Sequence, residues 1–501
     1  MRITNQMMIN SSMANIQVNK KQVNTLDTQL STQKKINKPS EDPIIAIRAL
    51  RLRASLNEVT QYLKKNIPDA QQWLSTTQGA LTQGESVINK LYEYCNQGSS
   101  DSYASEQRNT IAESLKALKK TFYDEGNVDY AGRYVFTGYK TNSTLTFQAD
   151  SKETYNISEY LSADKIEEYN YSYGNVKTPT AADVAAKTAP GTPENTTLHR
   201  LRLSYDNITD ITGGKISYSY TDTATGQMTT KELNVTTVTT SDLEASSYAI
   251  ADNDIVFNKD TGEFLMGKTL ASNLKSFGAT VSVNYDKTGF SKGELRPENY
   301  FDCTNNTDAA NPIQYTNFEN GKRVRQDIEY TIASNQTLVV NTQASTVFNS
   351  DIARDLDNLT SIVQSAIDAH SVVDNIKEMK GLSQYSSKDD QEYLESCLAA
   401  AQKQADYADH QLQTVFNRGL TKFEGYMSDV NLAITDVGSK GQQLDITKNR
   451  MSNQQQTVEA LKSDNEDKDL SDIIIDYTSS YTAYQASLQA AGMLNQTTLL
   501  N

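Results

Sequence analysis

The stretch INKPSEDP, residues 36–43, decides the fold. It holds Pro39 and Pro43, two of only eight prolines in the 501 residues. Upstream, Ile9, Ile16, Val23 and Leu30 recur every seven residues with Met13 and Leu26 beside them, which is the apolar spacing of one face of a long helix. Neither Pro nor Gly occurs before Pro39. Downstream, Asp42 is placed to cap a second helix and Pro43 to occupy its first turn, where a missing N–H costs nothing. Leu52, Leu56, Val59 and Leu63 then follow at threes and fours. The stretch therefore reads as a break: Pro39 forces Lys38 out of helical geometry, and a new helix restarts at Asp42.

Composition points the same way. Apolar residues make up 37% and mean hydropathy is −0.60, low for a compact globule of this length and suited to long, thin helical elements. A net charge of −15, from 47 basic and 62 acidic residues, argues against a nucleic-acid partner and against an anionic membrane surface. No apolar run is long enough to span a bilayer, and the first residues lack the apolar block of a cleaved signal. The expectation is a cytosolic protein or one exported by a route without signal cleavage.

Chemistry is sparsely represented. Cys95, Cys303 and Cys397 are widely spaced, with no CxxC, and suggest neither a disulfide framework nor zinc. His199, His370 and His410 lie in separate segments. GRYVFTGYKT (132–141) has the wrong glycine spacing for a phosphate loop, and DNDIVFNKDTGE (252–263) lacks the calcium-loop pattern. No catalytic, cofactor-binding or metal residue is nominated, and the expectation is a non-enzyme without cofactor.

The chain reads as helical to about residue 125, with Pro68 kinking or restarting the second rod and Gly126-Asn127 ending the third helix. RYVFTGY (133–139) suggests a strand. Residues 141–318 are rich in Thr, Ser, Asn, Tyr and Gly: KISYSY puts Ile216, Tyr218 and Tyr220 on one face, and VSVNY does so with Val281, Val283 and Tyr285. Thr178 to Pro193 reads as a loop or linker. DIEYTIASNQTLVV (327–340) reads as a hairpin turning at Ser334-Asn335. Helices then resume over 352–379, 393–437 and 442–461. The last segment carries Leu470, Ile474, Tyr477, Tyr481, Tyr484, Leu488 and Ala491 at alternating fours and threes, a bundle seam. The fold class is mainly α with a β-rich insert.

Residues 3–19 and 477–501 contain no Asp, Glu, Lys or Arg. Asn, Gln, Ser and Thr fill the polar positions, which avoids the cost of enclosing charge and suits helices packed against many neighbours. The two termini are expected to pair, with identical or related subunits around them.

Several stretches closely resemble the hook–filament junction proteins of the flagellin superfamily: LSTQKKINKPSEDP (30–43), NIPDAQQWLSTTQGAL (66–81), GRYVFTGYKT (132–141), LVVNTQASTVF (338–348) and the terminal SLQAAGMLNQTTLLN. The likeness covers about residues 1–145 and 320–501. Gln33 stands where such proteins commonly carry Gly. The resemblance implies a structural flagellar subunit, extracellular and exported without signal cleavage, that joins hook to filament. Its implied partners are identical subunits in a ring, a neighbouring hook-associated junction protein, flagellin and an export chaperone. It further implies an inner coiled-coil domain from 1–42 with 461–501, a helical domain from 43–140 with 319–460, and an outward insert at 141–318. The alternatives are a flagellin filament subunit or an adhesin-like binding module on a helical stalk.

Overall fold

The computed structural model describes residues 5–99, 105–222, 226–319 and 321–499. In chain order the helices are α1 (Asn5–Thr32), α2 (Pro43–Gln61), α3 (Ile67–Gly98), α4 (Ser105–Glu125), α5 (Ala181–Ala186), α6 (Thr240–Ala245), α7 (Lys268–Ser276), α8 (Ala344–Val347), α9 (Ser350–Gly381), α10 (Lys388–Glu466) and α11 (Leu470–Leu499). The fold is mainly α with a β-rich central part, and it forms two compact units. One comprises residues 1–71, 330–338 and 441–501; the other comprises 72–329 and 339–440.

In the first unit α1 packs along α11. Asp42 caps α2 as expected: it is extended (φ −149°), its carboxylate accepts the N–H of Ile44 and Ile45, and Pro43 sits in the first turn. The first helix, however, ends at Thr32 rather than at Lys38. The terminator is Gln33, which adopts a left-handed φ of +56° while its N–H donates to the Gln29 carbonyl at 2.7 Å. That is the helix-ending geometry glycine adopts without strain, so Pro39 follows the break instead of causing it. Pro68 does not restart the rod: Tyr62–Asn66 widen into one π-turn, with the Ile67 N–H reaching back to the Tyr62 carbonyl, and α3 follows without a break. The hairpin Glu329–Ala333 and Gln336–Val339 turns at a left-handed Asn335, as read. Its Thr331 carbonyl accepts from Asn66 and its Gln336 from Arg450.

In the second unit α4 packs on α9. Trp73 is fully buried with the Arg133 guanidinium 4.8 Å above its ring, and Phe122, Phe136 and Phe348 cluster beneath α4. Gly419 does not weaken α10. A Cβ there would lie 3.0 Å from Cys95 Sγ, so its smallness permits the close approach of α3. Nor do Gly438 and Gly441 divide the helix: the separate segments 393–437 and 442–461 are parts of one 79-residue helix.

The β-rich part makes two sheets. The larger orders its main strands 313–315, 302–305, 151–162, 280–290, 215–221 and 228–234; the other orders 167–173, 194–202, 263–266, 255–258 and 236–238. Ile216 and Tyr218 are buried, Tyr220 half-buried, and Val281, Val283 and Tyr285 buried, as alternation required. RYVFTGY contributes only Arg133–Tyr134 as strand, the remainder being turn around a left-handed Gly138. The expected linker is in part folded. Thr180 and Asp183 form a capping box on α5, and Val176 and Val184 pack among Ala369, Val373, Leu394 and Ala401.

A buried ionic network ties the smaller sheet to the helices of this unit. Arg200 pairs with Glu167 at 2.7 Å and Glu263 at 2.9 Å, Arg202 with Asp355, and Lys422 with Glu167 at 3.0 Å and Asp355 at 2.9 Å. Tyr426 donates to Asp355 at 2.7 Å. Three cations meet three carboxylates, so no buried charge is left over. Burial alone would raise the Glu167 carboxyl, but Arg200, Arg202 and Lys422 outweigh it and hold it at about 2. Asp355 is likewise held well below the usual carboxylate range.

Candidate assembly site on the terminal helices

The α1–α11 pair is antiparallel: Asn19 donates to the Ser487 hydroxyl at 2.6 Å, while Lys34 bridges Asp467 at the other end. Along α1 the shielded positions are Ile9, Ser12, Ile16, Asn19, Val23, Leu26 and Leu30, at alternating threes and fours, with Leu26 the most enclosed. On α11 they are Ile473, Tyr477, Ser480, Tyr484, Ser487 and Ala491. The seam is thus apolar and aromatic with Ser12, Asn19, Ser480 and Ser487 set into it. Asn19, which weakens the heptad as an apolar repeat, instead supplies a polar pairing inside it.

The expected single seam on α11 is two rows. Tyr477, Tyr484 and Ala491 belong to the row shielded by α1, whereas Leu470, Ile474, Tyr481 and Leu488 lie outside it, between 43% and 48% exposed. Met13 on α1 is also outside. The sequence offers Leu470 and Ile474 for the seam, yet α1 selects Ile473, one position away. Tyr481 stacks on Tyr477 with ring centres 5.9 Å apart, joining the outer row to the inner. Met7 and Val18 on α1, and Ile44, Ile47 and Leu50 on α2, are further exposed apolar side chains.

Where charge returns to the sequence, the two helices are clasped. The Lys35 N–H donates to the Glu466 carbonyl at 2.7 Å, and the Lys468 N–H to the Gln33 carbonyl at 3.1 Å. Arg53 of α2 grips the buried Glu466 carboxylate through two bonds of 2.7 Å. These bonds hold that carboxyl below its ordinary range. Pro39, Asp42 and Pro43 form the exposed or half-buried turn beside this clasp. Sequence reading noted Gln33 without giving it a role, and missed Lys34, Arg53 and Glu466. The available signal was the match between the basic KKINK and the acidic SDNED, which face each other once the ends pair.

Elsewhere the titratable groups have structural settings. His370 pairs with Asp409 at 2.9 Å, and Arg108 with the same carboxylate at 2.7 Å. Burial pushes the Cys95 thiol up to about 12 and raises Cys303 too. Among the described residues no group of three or more His, Cys, Asp or Glu side chains is disposed to hold a metal, and no helix is long and apolar enough to cross a membrane.

Residues 3–141 match the bacterial flagellin N-terminal helical region. The flagellar hook-associated protein 3 of Salmonella typhimurium is 30% identical over 151 residues, which are 30% of this chain and 47% of that protein. Its Escherichia coli counterpart is 30% identical over 145 residues, 28% of this chain and 45% of that one. The match thus spans about half the length of these curated relatives. Solved structures that align with the chain include a putative flagellar hook-associated protein from Vibrio parahaemolyticus, with TM-score 0.35 and 11% identity over 85% of this chain and 100% of that one. Another is the flagellar junction protein FlgL from Legionella pneumophila, with TM-score 0.30 and 10% identity over 84% and 99%.

Proposed function

We propose that this chain, whose amino-terminal part is a flagellin-type helical region, is a structural subunit of the bacterial flagellum that joins hook to filament. The observation that carries the reading is the second apolar row on α11. Leu470, Ile474, Tyr481 and Leu488 face away from α1 on a helix that carries no Asp, Glu, Lys or Arg from Tyr477 onward. A helix in water presents charge outward; one enclosed by neighbours presents what is seen here. The row is covered when identical subunits, the neighbouring hook-associated protein and flagellin surround the pair.

In this reading residues 1–42 with 461–501 are the inner coiled-coil part, 43–140 with 319–460 the next helical part, and 141–318 the outward insert. The subunit is non-enzymatic and extracellular, reaches its place without a cleaved signal, and depends on an export chaperone that shields the α11 rows before assembly. Deleting residues 461–501 tests the mechanism. Cells exporting the truncated chain should carry hooks without filaments; filaments attached as in the wild type would overturn the assignment.

A further inference from the structure

The first unit carries two exposed apolar strips on different helices, bordered by opposite charge. Along α2, Ile44, Ile47 and Leu50 are between 53% and 65% exposed, and Arg48 and Arg51 follow Ile44 and Ile47 by four residues, on the same face. At the start of α11, Ile474 and Ile475 are 48% and 65% exposed, and Asp472 precedes Ile475 by three residues, again on the same face. Contiguous exposed apolar side chains with a polar border mark a surface that a partner covers.

The charges stay segregated. From Pro43 to Asn57 the chain has three Arg and no Asp, Glu or Lys; from Asp469 to Asn501 it has three Asp and no Glu, Lys or Arg. Some of these are engaged within the chain. Arg53 grips Glu466, Asp476 pairs with Lys468 at 2.7 Å, and the Asp469 carboxylate accepts the Ser471 N–H at 2.7 Å. The acids at either end of α2 are engaged too: Glu41 accepts the Asn37 N–H at 2.8 Å, and Glu58 accepts from the Tyr62 hydroxyl at 2.7 Å. Among the described residues the side chains of Arg48 and Arg51 make no ion pair, nor does that of Asp472.

The arrangement selects the occupant. Either strip set against its own copy brings like charges together, basic on basic or acidic on acidic, which is unfavourable. Set against each other, the strips bury apolar surface on apolar surface and bring Arg48 and Arg51 to an acid. Two complementary patches at different places on one chain make a head-to-tail contact, and such a contact closes into a ring or propagates as a helix.

We propose that the Ile44–Leu50 strip of one chain seats on the Ile474–Ile475 strip of a second copy, with Arg48 and Arg51 reaching Asp472 across the contact. This rests on the junction reading and adds which surfaces of adjacent copies meet. Flagella isolated from cells making two forms of the full chain, one with Ile47→Cys and one with Ile474→Cys, test it by oxidation and gel electrophoresis. The native Cys95, Cys303 and Cys397 are buried and stay out of the reaction. The mixed population should give a disulfide-linked dimer that neither form gives alone, whereas Met228→Cys, exposed in the β-rich part, should give none with Ile47→Cys. Arg48→Glu with Arg51→Glu on the first form should lower the dimer yield about fivefold, and Asp472→Arg on the second should then raise it again by at least about twofold. Filaments attached to hooks without that dimer, or a yield indifferent to Arg48→Glu with Arg51→Glu, would overturn this contact and leave the junction reading standing. Absence of the chain from the boundary of hook and filament would overturn both.

Discussion

The pair α1–α11 and the sheet-bearing unit treat polarity in opposite ways. The helix pair excludes charge from its outer reaches, seals a seam with Asn19 and Ser487, and leaves Ile474 and Leu488 outside. The second unit neutralises six charged groups against one another and also buries Trp73, Phe257, Phe264 and Phe416. A fully matched buried network is a closed system that needs no partner, whereas a helix pair whose narrow seam is interrupted by Ser and Asn draws little stability from itself. In the proposed role the first unit is completed by other subunits, whereas the buried charges of the second are matched within it.

The contrast breaks most severely at Arg202. Arg202→Leu leaves Asp355 and Glu167 enclosed with too little positive charge, and should lower the stability of the second unit by about 3–5 kcal/mol, read by thermal unfolding, because an orphaned buried carboxylate is costly. Acid should act through the same groups. Glu167, held at about 2, titrates below its unfolded value of roughly 4.3, so its contribution is complete above the unfolded value and lost as pH falls through the folded one. Asp355 has the same sign, while Glu159, raised by burial, has the opposite. Cooperative unfolding of the second unit should therefore shift to lower temperature between about pH 5 and pH 2, followed by calorimetry, and a flat profile would dissolve the network argument.

Smaller changes sharpen the other side. Gln33→Gly places glycine at the left-handed position that ends α1 and should stabilise the clasp by about 1 kcal/mol, seen as slower protease cleavage at residues 30–40. Ile474→Asp should change the stability of the isolated chain least, within about 0.5 kcal/mol, because the side chain already faces water. Assembly onto hooks should nevertheless fail. If the variant assembled normally, the outer row of α11 would have no role.

Features governed by neighbours in sequence were legible in advance. The Asp42–Pro43 cap, the Gly126-Asn127 stop, the Asn335 turn, the alternation of Ile216 and Tyr218 and the charge-free ends all follow from dihedral preference or from periods of two and 3.6, which act over a few residues. Other features depended on residues hundreds of positions apart. Gln33 rather than Pro39 ends α1, since its carbonyl and that of Glu466 are bonded across the clasp. Ile473 rather than Ile474 enters the seam, because either register satisfies the heptad and only the approach of α1 chooses. The continuity of α10 through Gly438 and Gly441, the folding of the Thr178–Pro193 stretch against α9 and α10, and the pairing of Arg200 and Arg202 with Glu263 and Asp355 belong to the same class. Local rules state what each segment prefers, but packing energy, summed over contacts between distant segments, decides among preferences of nearly equal strength.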